Sequence, residues 1–106
     1  MAWVFLGIAG LLEIVWAYAL KQSDGLSKPV AATIAIVAMI ASFGVLALAM
    51  KSLPLGTAYT IWTGIGAIGA FLIGVMVLGE SATPMRIGSA VLILAGIIGL
   101  KLASPQ

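Results

Sequence analysis

The sequence has no cysteine and no histidine. The first absence excludes disulfides and thiolate chemistry. The second removes imidazole from any metal site or acid–base role. Acidic residues are three, Glu13, Asp24 and Glu80, and only Glu13 lies inside an apolar run. With no second catalytic group at that depth, an enzyme is the least expected class, and neither a metal nor a cofactor is expected. Charge of both signs is scarce. Charged residues make up 8% of the chain, against about 25% in a soluble domain. Hydrophobic residues make up 63%. Such a composition cannot cover a water-facing surface, so the chain is read as membrane-integral with the lipid bilayer as its surroundings. The net charge of +2 is mostly loop lysine and implies no nucleic-acid partner.

What is present is four long apolar segments in 106 residues, separated by short polar breaks. The expected helices are about 2–20, 30–50, 57–78 and 85–102, forming a single four-helix transmembrane domain over residues 1–106. The segments are too long and too evenly apolar for barrel strands, and backbone groups in lipid must be paired internally. Asp24-Gly25 signals a turn in the first break. Ser27 and Pro29 suit the start of the second helix. Lys51-Ser-Leu-Pro-Leu-Gly56 forms the next break. Thr83 suits a cap and Pro84 the first turn of the last helix. Residues 103–106 read as a frayed tail. Ala17-Tyr18-Ala19 resembles a signal-peptide cleavage site, but no basic residue precedes the apolar run and Glu13 interrupts it. The first segment is therefore expected to be retained as a membrane helix.

Glu13 organises this reading. The run Ala2–Leu20 spans about 28 Å as a helix, close to the bilayer hydrocarbon thickness, with Glu13 near mid-depth. A carboxylate there costs roughly 3 kcal/mol or more to insert, so such a group is functional by default. Lys21 lies about 12 Å further along the helix and cannot pair closely with it. Glu13 is read as an ion- or proton-binding carboxylate. Trp16 follows on the same face, and Ala9 and Gly10 leave room beside the carboxylate. Trp3 and Tyr18 fit the interfacial belt.

The third segment carries Tyr59 and Trp62 on one face. Together they suggest an aromatic wall with a hydroxyl donor, although Tyr59 alone would suit the belt. A carboxylate beside aromatic walls is a site for a cation, and a planar, many-donor cation is favoured when its donors fork onto the oxygens. Ser42 either contributes a polar partner or bonds back to its own helix. Met39 and Phe43 either face lipid or flank the site. Gly64 and Gly66 either serve close packing or mark a bend in the third helix. Gly88, Gly96 and Gly99 read as packing positions between subunits.

Positive charge is almost balanced between the two membrane faces. One face holds Lys51, Lys101 and the amino terminus; the other holds Lys21, Lys28 and Arg86. The positive-inside rule then gives a weak orientation, or a chain that inserts both ways and pairs as an antiparallel dimer. Four thin helices enclose too little space for a polar pathway, which also argues for at least a dimer.

Along essentially its whole length the chain resembles the small multidrug resistance family of bacterial exporters. The resemblance rests on Glu13-Ile-Val-Trp16-Ala, on Leu53-Pro-Leu-Gly-Thr-Ala-Tyr59-Thr-Ile-Trp62-Thr-Gly-Ile-Gly66, and on Gly96-Ile-Ile-Gly-Leu-Lys101. Trp16 and the run from Trp62 to Ala67 are similar to its guanidinium-exporting subtype; the quaternary-ammonium subtype usually has a small residue at the Trp16 position. The resemblance implies an all-α fold, an antiparallel, dual-topology homodimer of four-helix bundles in the bacterial inner membrane, and proton-coupled export of guanidinium by alternating access. It implies that Glu13 binds both proton and substrate, that Trp16, Ser42, Tyr59 and Trp62 line the pocket, and that Gly64 and Gly66 match the bend. The alternatives are a multidrug exporter of bulky aromatic cations, a proteolipid subunit of a rotary proton motor, and a passive cation channel.

Overall fold

The computed structural model of the chain describes residues 1–103. The tail beyond Ala103 lies outside them. Four helices follow one another: α1 (Ala2–Gln22), α2 (Pro29–Ala49), α3 (Leu55–Met76) and α4 (Pro84–Ala103). Each has 20 to 22 residues, so each rises about 30–33 Å, enough to cross a bilayer core. All four are apolar enough to be spans, and none carries more than two charged residues in its most apolar stretch.

The ends differ from the sequence-based bounds by one or two residues, for local reasons. α1 continues through Lys21 and Gln22, where a lysine in the last turn complements the carbonyl end of the helix. Pro54 is the residue before α3 and sets an extended entry, so α3 begins at Leu55 rather than Thr57. α3 stops at Met76, before Gly79 turns the chain with a φ of 74°. Thr83 caps α4 through its hydroxyl, which accepts the Arg86 N–H at 3.3 Å. At α2 the extended residue before the helix is Lys28, with Pro29 in the first turn. Ser27 instead turns its hydroxyl to the carbonyls of Asp24, at 2.7 Å, and Ser23.

The α1–α2 connection is tight. Ser23 is fully buried; its hydroxyl donates to the Leu20 carbonyl at 2.6 Å and accepts the Leu26 N–H at 3.0 Å. Asp24, Gly25 and Leu26 have φ of 51°, 72° and 69°, all left-handed. Glycine adopts this conformation freely; leucine does not.

The helices form one layer rather than a closed bundle, with extents of 43 × 34 × 16 Å. α1 packs against both α2 and α3, and α4 packs along α3. The C-terminal end of α4 reaches back to α1, where the Lys101 ammonium lies 5.3 Å from the centre of the Trp3 ring. α1 and α3 run parallel, because Gly10 faces Ile65, Glu13 faces Gly66 and Ile14 faces Gly69 in ascending order. At each of these places a glycine on one helix receives a longer side chain from the other. Lipid supplies no hydrophobic drive between helices, so close backbone approach at small residues holds such an interface. The shared core is Leu6 and Ala9 of α1, Leu46 and Ala49 of α2, and Ala58, Ile61 and Trp62 of α3. α4 has no buried residue along its length.

Candidate functional site: a mid-depth carboxylate on a glycine seat

The seam between α1 and α3 carries the site. Glu13 projects from the middle of α1 onto Gly66 of α3. A Cβ placed on Gly66 would fall on the Glu13 carboxyl group. Only glycine leaves room for the carboxylate there. Its Oε1 is buried with no hydrogen-bond partner, as is the indole N–H of Trp16 on the next turn. An acceptor and a donor thus lie unsatisfied three residues apart on one helix. Buried polar atoms are nearly always paired in folded proteins, so these two lack partners that the chain itself does not supply.

One turn away on both helices lies a hydrogen-bonded relay. Ser42 of α2, fully buried, donates its hydroxyl to the Ala9 carbonyl of α1 at 2.7 Å. Trp62 of α3 donates its indole N–H to the Ser42 hydroxyl at 3.0 Å. Ala9 precedes Glu13 by four residues and Trp62 precedes Gly66 by four, so the relay stands about 6 Å away along the seam by helix rise. The Ser42 hydroxyl bonds between helices, not back to its own. The relay ties α1, α2 and α3 together and fixes the indole plane.

Around that indole the aromatic wall assembles. The Tyr59 ring lies 5.6 Å from Trp62 at an interplanar angle of 49°. Phe43 of α2 meets Trp62 edge-on at 5.7 Å. Trp62 is 6% exposed and Tyr59 53%, so the wall runs from the core to an open face. Ser42, Phe43, Tyr59 and Trp62 are therefore brought together, with Glu13 and Gly66 one turn on. Met39 is half-buried, three residues before Ser42 on α2. Trp16 shares the helix of Glu13, but among the described residues no ring stacks on it.

Gly64 and Gly66 belong to an unbroken helical stretch of α3. Gly64 takes the Ile97 side chain of α4, whose Cδ1 would lie 2.7 Å from an added Cβ. Both glycines thus act here in close approach. Sequence reasoning missed two parts of the site: the Ala9 carbonyl that holds Ser42, and the role of Gly66 as seat for the carboxylate. The only signal for the second was a glycine without a Cβ on the aromatic face of the third segment.

Four spans, one mid-depth carboxylate and an aromatic seam define a multi-pass membrane protein built around a cation-compatible site. A family model described as Small Multidrug Resistance protein matches residues 1–93, and the chain belongs to this family. A protein of Escherichia coli strain K12 named Guanidinium exporter is 58% identical over 104 residues, which cover 98% of this chain and 99% of that one. A Yersinia pseudotuberculosis protein of the same name is 62% identical, with 98% and 100% covered. One from Salmonella typhimurium is 57% identical, with 98% and 99% covered. The relatives are exporters, so the chain is a transport protein and not an enzyme. It is a multi-pass protein of the inner membrane. The resemblance read from Glu13, Trp16 and the Trp62 run is borne out.

Proposed function

We propose that the chain is a proton-coupled antiporter that exports guanidinium and small substituted guanidinium cations. The identity of 57–62% to proteins named Guanidinium exporter, over nearly the full length, supports the cargo. The observation that carries the mechanism is the Glu13 carboxylate on the Gly66 seat, with its Oε1 buried and unpaired.

Glu13 binds either a proton or the cation. Each neutralises the carboxylate, and a bare carboxylate resists reorientation through lipid because its charge is uncompensated. Exchange then follows from competition at one site, without a second coupling group. Trp16, with its free indole N–H, and Tyr59 and Trp62 offer the walls on which a planar cation stacks. Ser42 sets the plane of Trp62. Met39 and Phe43 flank the site.

The working unit is an antiparallel, dual-topology homodimer, with residues 1–106 as one transmembrane domain per subunit. A layer only 16 Å thick cannot surround a pathway, and no residue of α4 is buried within the chain, which supports a second copy. The near-balanced loop charges support insertion in both orientations. Alternating access is rocking of the two copies, with Gly64 and Gly66 letting α3 bend between states.

The test is guanidinium transport in proteoliposomes under an imposed pH gradient. Gradient-driven transport that is lost in Glu13→Gln is the expected result. Transport indifferent to the gradient would make the protein a channel. A response to bulky quaternary ammonium ions but not to guanidinium would make it a multidrug exporter.

A further inference from the structure

The loop between α3 and α4 holds a guanidinium group of the protein's own. Arg86 is the single arginine of the chain. Its guanidinium bonds the Ser81 carbonyl, lies 3.4 Å from the Glu80 carboxylate, and sits over the Phe71 ring at 5.0 Å from the centre. A carboxylate, an aromatic face and a carbonyl oxygen are what a guanidinium ion asks of a binding site.

The cradle is built by the end of α3. Gly79, with φ 74°, folds the chain back, and the Glu80 N–H bonds the Gly74 carbonyl at 2.9 Å. The Glu80 carboxylate is thereby laid over Gly74, where an added Cβ would strike it. Glu80 rests on Gly74 as Glu13 rests on Gly66. The two seats are two turns or so apart on one helix, about 12 Å by rise.

A cavity of 370 Å³ lies beside this cradle. It is lined by Tyr18, Phe71, Glu80 and Arg86, and by Ala17 and Ala67. Ala17 is one turn beyond Glu13, and Ala67 adjoins Gly66. Arg86 and Glu80 are 36% and 45% exposed, so the pair is accessible from water and held loosely. Lys21 also lines this cavity and weakens it further for any cation.

We propose that the Glu80–Phe71 cradle is a second guanidinium-binding site, beside a cavity whose lining comes within one turn of Glu13, with Arg86 as its tethered and displaceable occupant. This rests on the reading above that guanidinium is the cargo. Free guanidinium takes the place of the Arg86 group and waits against Phe71 on its way to or from Glu13. A weak site is what a waiting place requires, since tight binding would hold the cargo at the mouth.

A lone arginine makes the test direct. Protein labelled with 15N-arginine and carrying Glu13→Gln, in lipid nanodiscs, gives one arginine side-chain signal. Titration with guanidinium chloride should move that signal saturably towards its position in Glu80→Gln, and sodium chloride at equal ionic strength should not. Phe71→Leu should raise the half-saturation concentration severalfold. A guanidinium effect no larger than that of sodium chloride, an equal effect after Glu80→Gln, or no change in half-saturation after Phe71→Leu would overturn the proposal. With Glu13 neutralised, the outcome is independent of whether Glu13 carries guanidinium, which the transport assay decides.

Discussion

Removing the Ser42 hydroxyl tests whether the relay sets the aromatic wall. In Ser42→Ala the Trp62 N–H, at a residue 6% exposed, loses its acceptor. The Ala9 carbonyl keeps the bond from the Glu13 N–H that the helix provides, so the orphan is the indole. An orphaned buried donor costs about 1–3 kcal/mol in soluble proteins. Interhelical bonds in membranes average about 0.6 kcal/mol and reach about 1.7. We take about 1 kcal/mol as the coupling, which is roughly a fivefold effect if it falls on substrate binding. The assay is a double-mutant cycle on the KM for guanidinium in proteoliposomes. Ser42→Ala should raise KM about fivefold in the native background and less than about twofold in Trp62→Phe, where no indole N–H remains to be orphaned. An equal rise in both backgrounds would refute the relay.

Gly66→Ala places a methyl group on the Glu13 carboxyl. The carboxylate is the end of a flexible chain and moves aside, so the protein should keep its thermal stability within about 1 kcal/mol while losing at least about tenfold in kcat/KM for guanidinium. Gly64→Ala meets Ile97 and Ile93 of α4 and does not touch the carboxylate, so it should slow turnover while leaving the KM for guanidinium within about twofold of wild type; a KM rise equal to that of Gly66→Ala would contradict the seat. Leu26, exposed and at φ 69°, carries left-handed strain of about 1–2 kcal/mol. Leu26→Gly should raise the thermal unfolding midpoint in detergent, and a fall would mean that the side chain packs in a way its exposure denies.

The helices were legible because lipid leaves so few options: long apolar runs between Pro, Gly and charge become spans. Their order in the layer was not. Each helix is apolar nearly all round, so no stripe tells which face meets which neighbour. Ser42 shows the consequence for the site. A serine in a membrane helix bonds either to its own backbone or across, and the choice lies with Ala9, 33 positions away. Gly66 was legible as a special position but not as a seat, because its partner is on another helix. Arg86 entered the sequence reading only as a charge to be counted. Its cradle depends on the fold-back at Gly79, which places Glu80 over Gly74. A glycine just past the end of a helix is the signal from which that turn could have been read.

In the proposed mechanism one carboxylate serves proton and cation in turn. Binding linkage then requires that guanidinium drive protons off, and that acid weaken guanidinium binding by the same coupling. The direct measurement is proton release on adding guanidinium to purified protein in weak buffer. Release that follows guanidinium saturation in the wild type and vanishes in Glu13→Gln is the predicted result. Guanidinium binding without proton release at any pH where the protein is folded, or release that persists in Glu13→Gln, would contradict a shared site at Glu13.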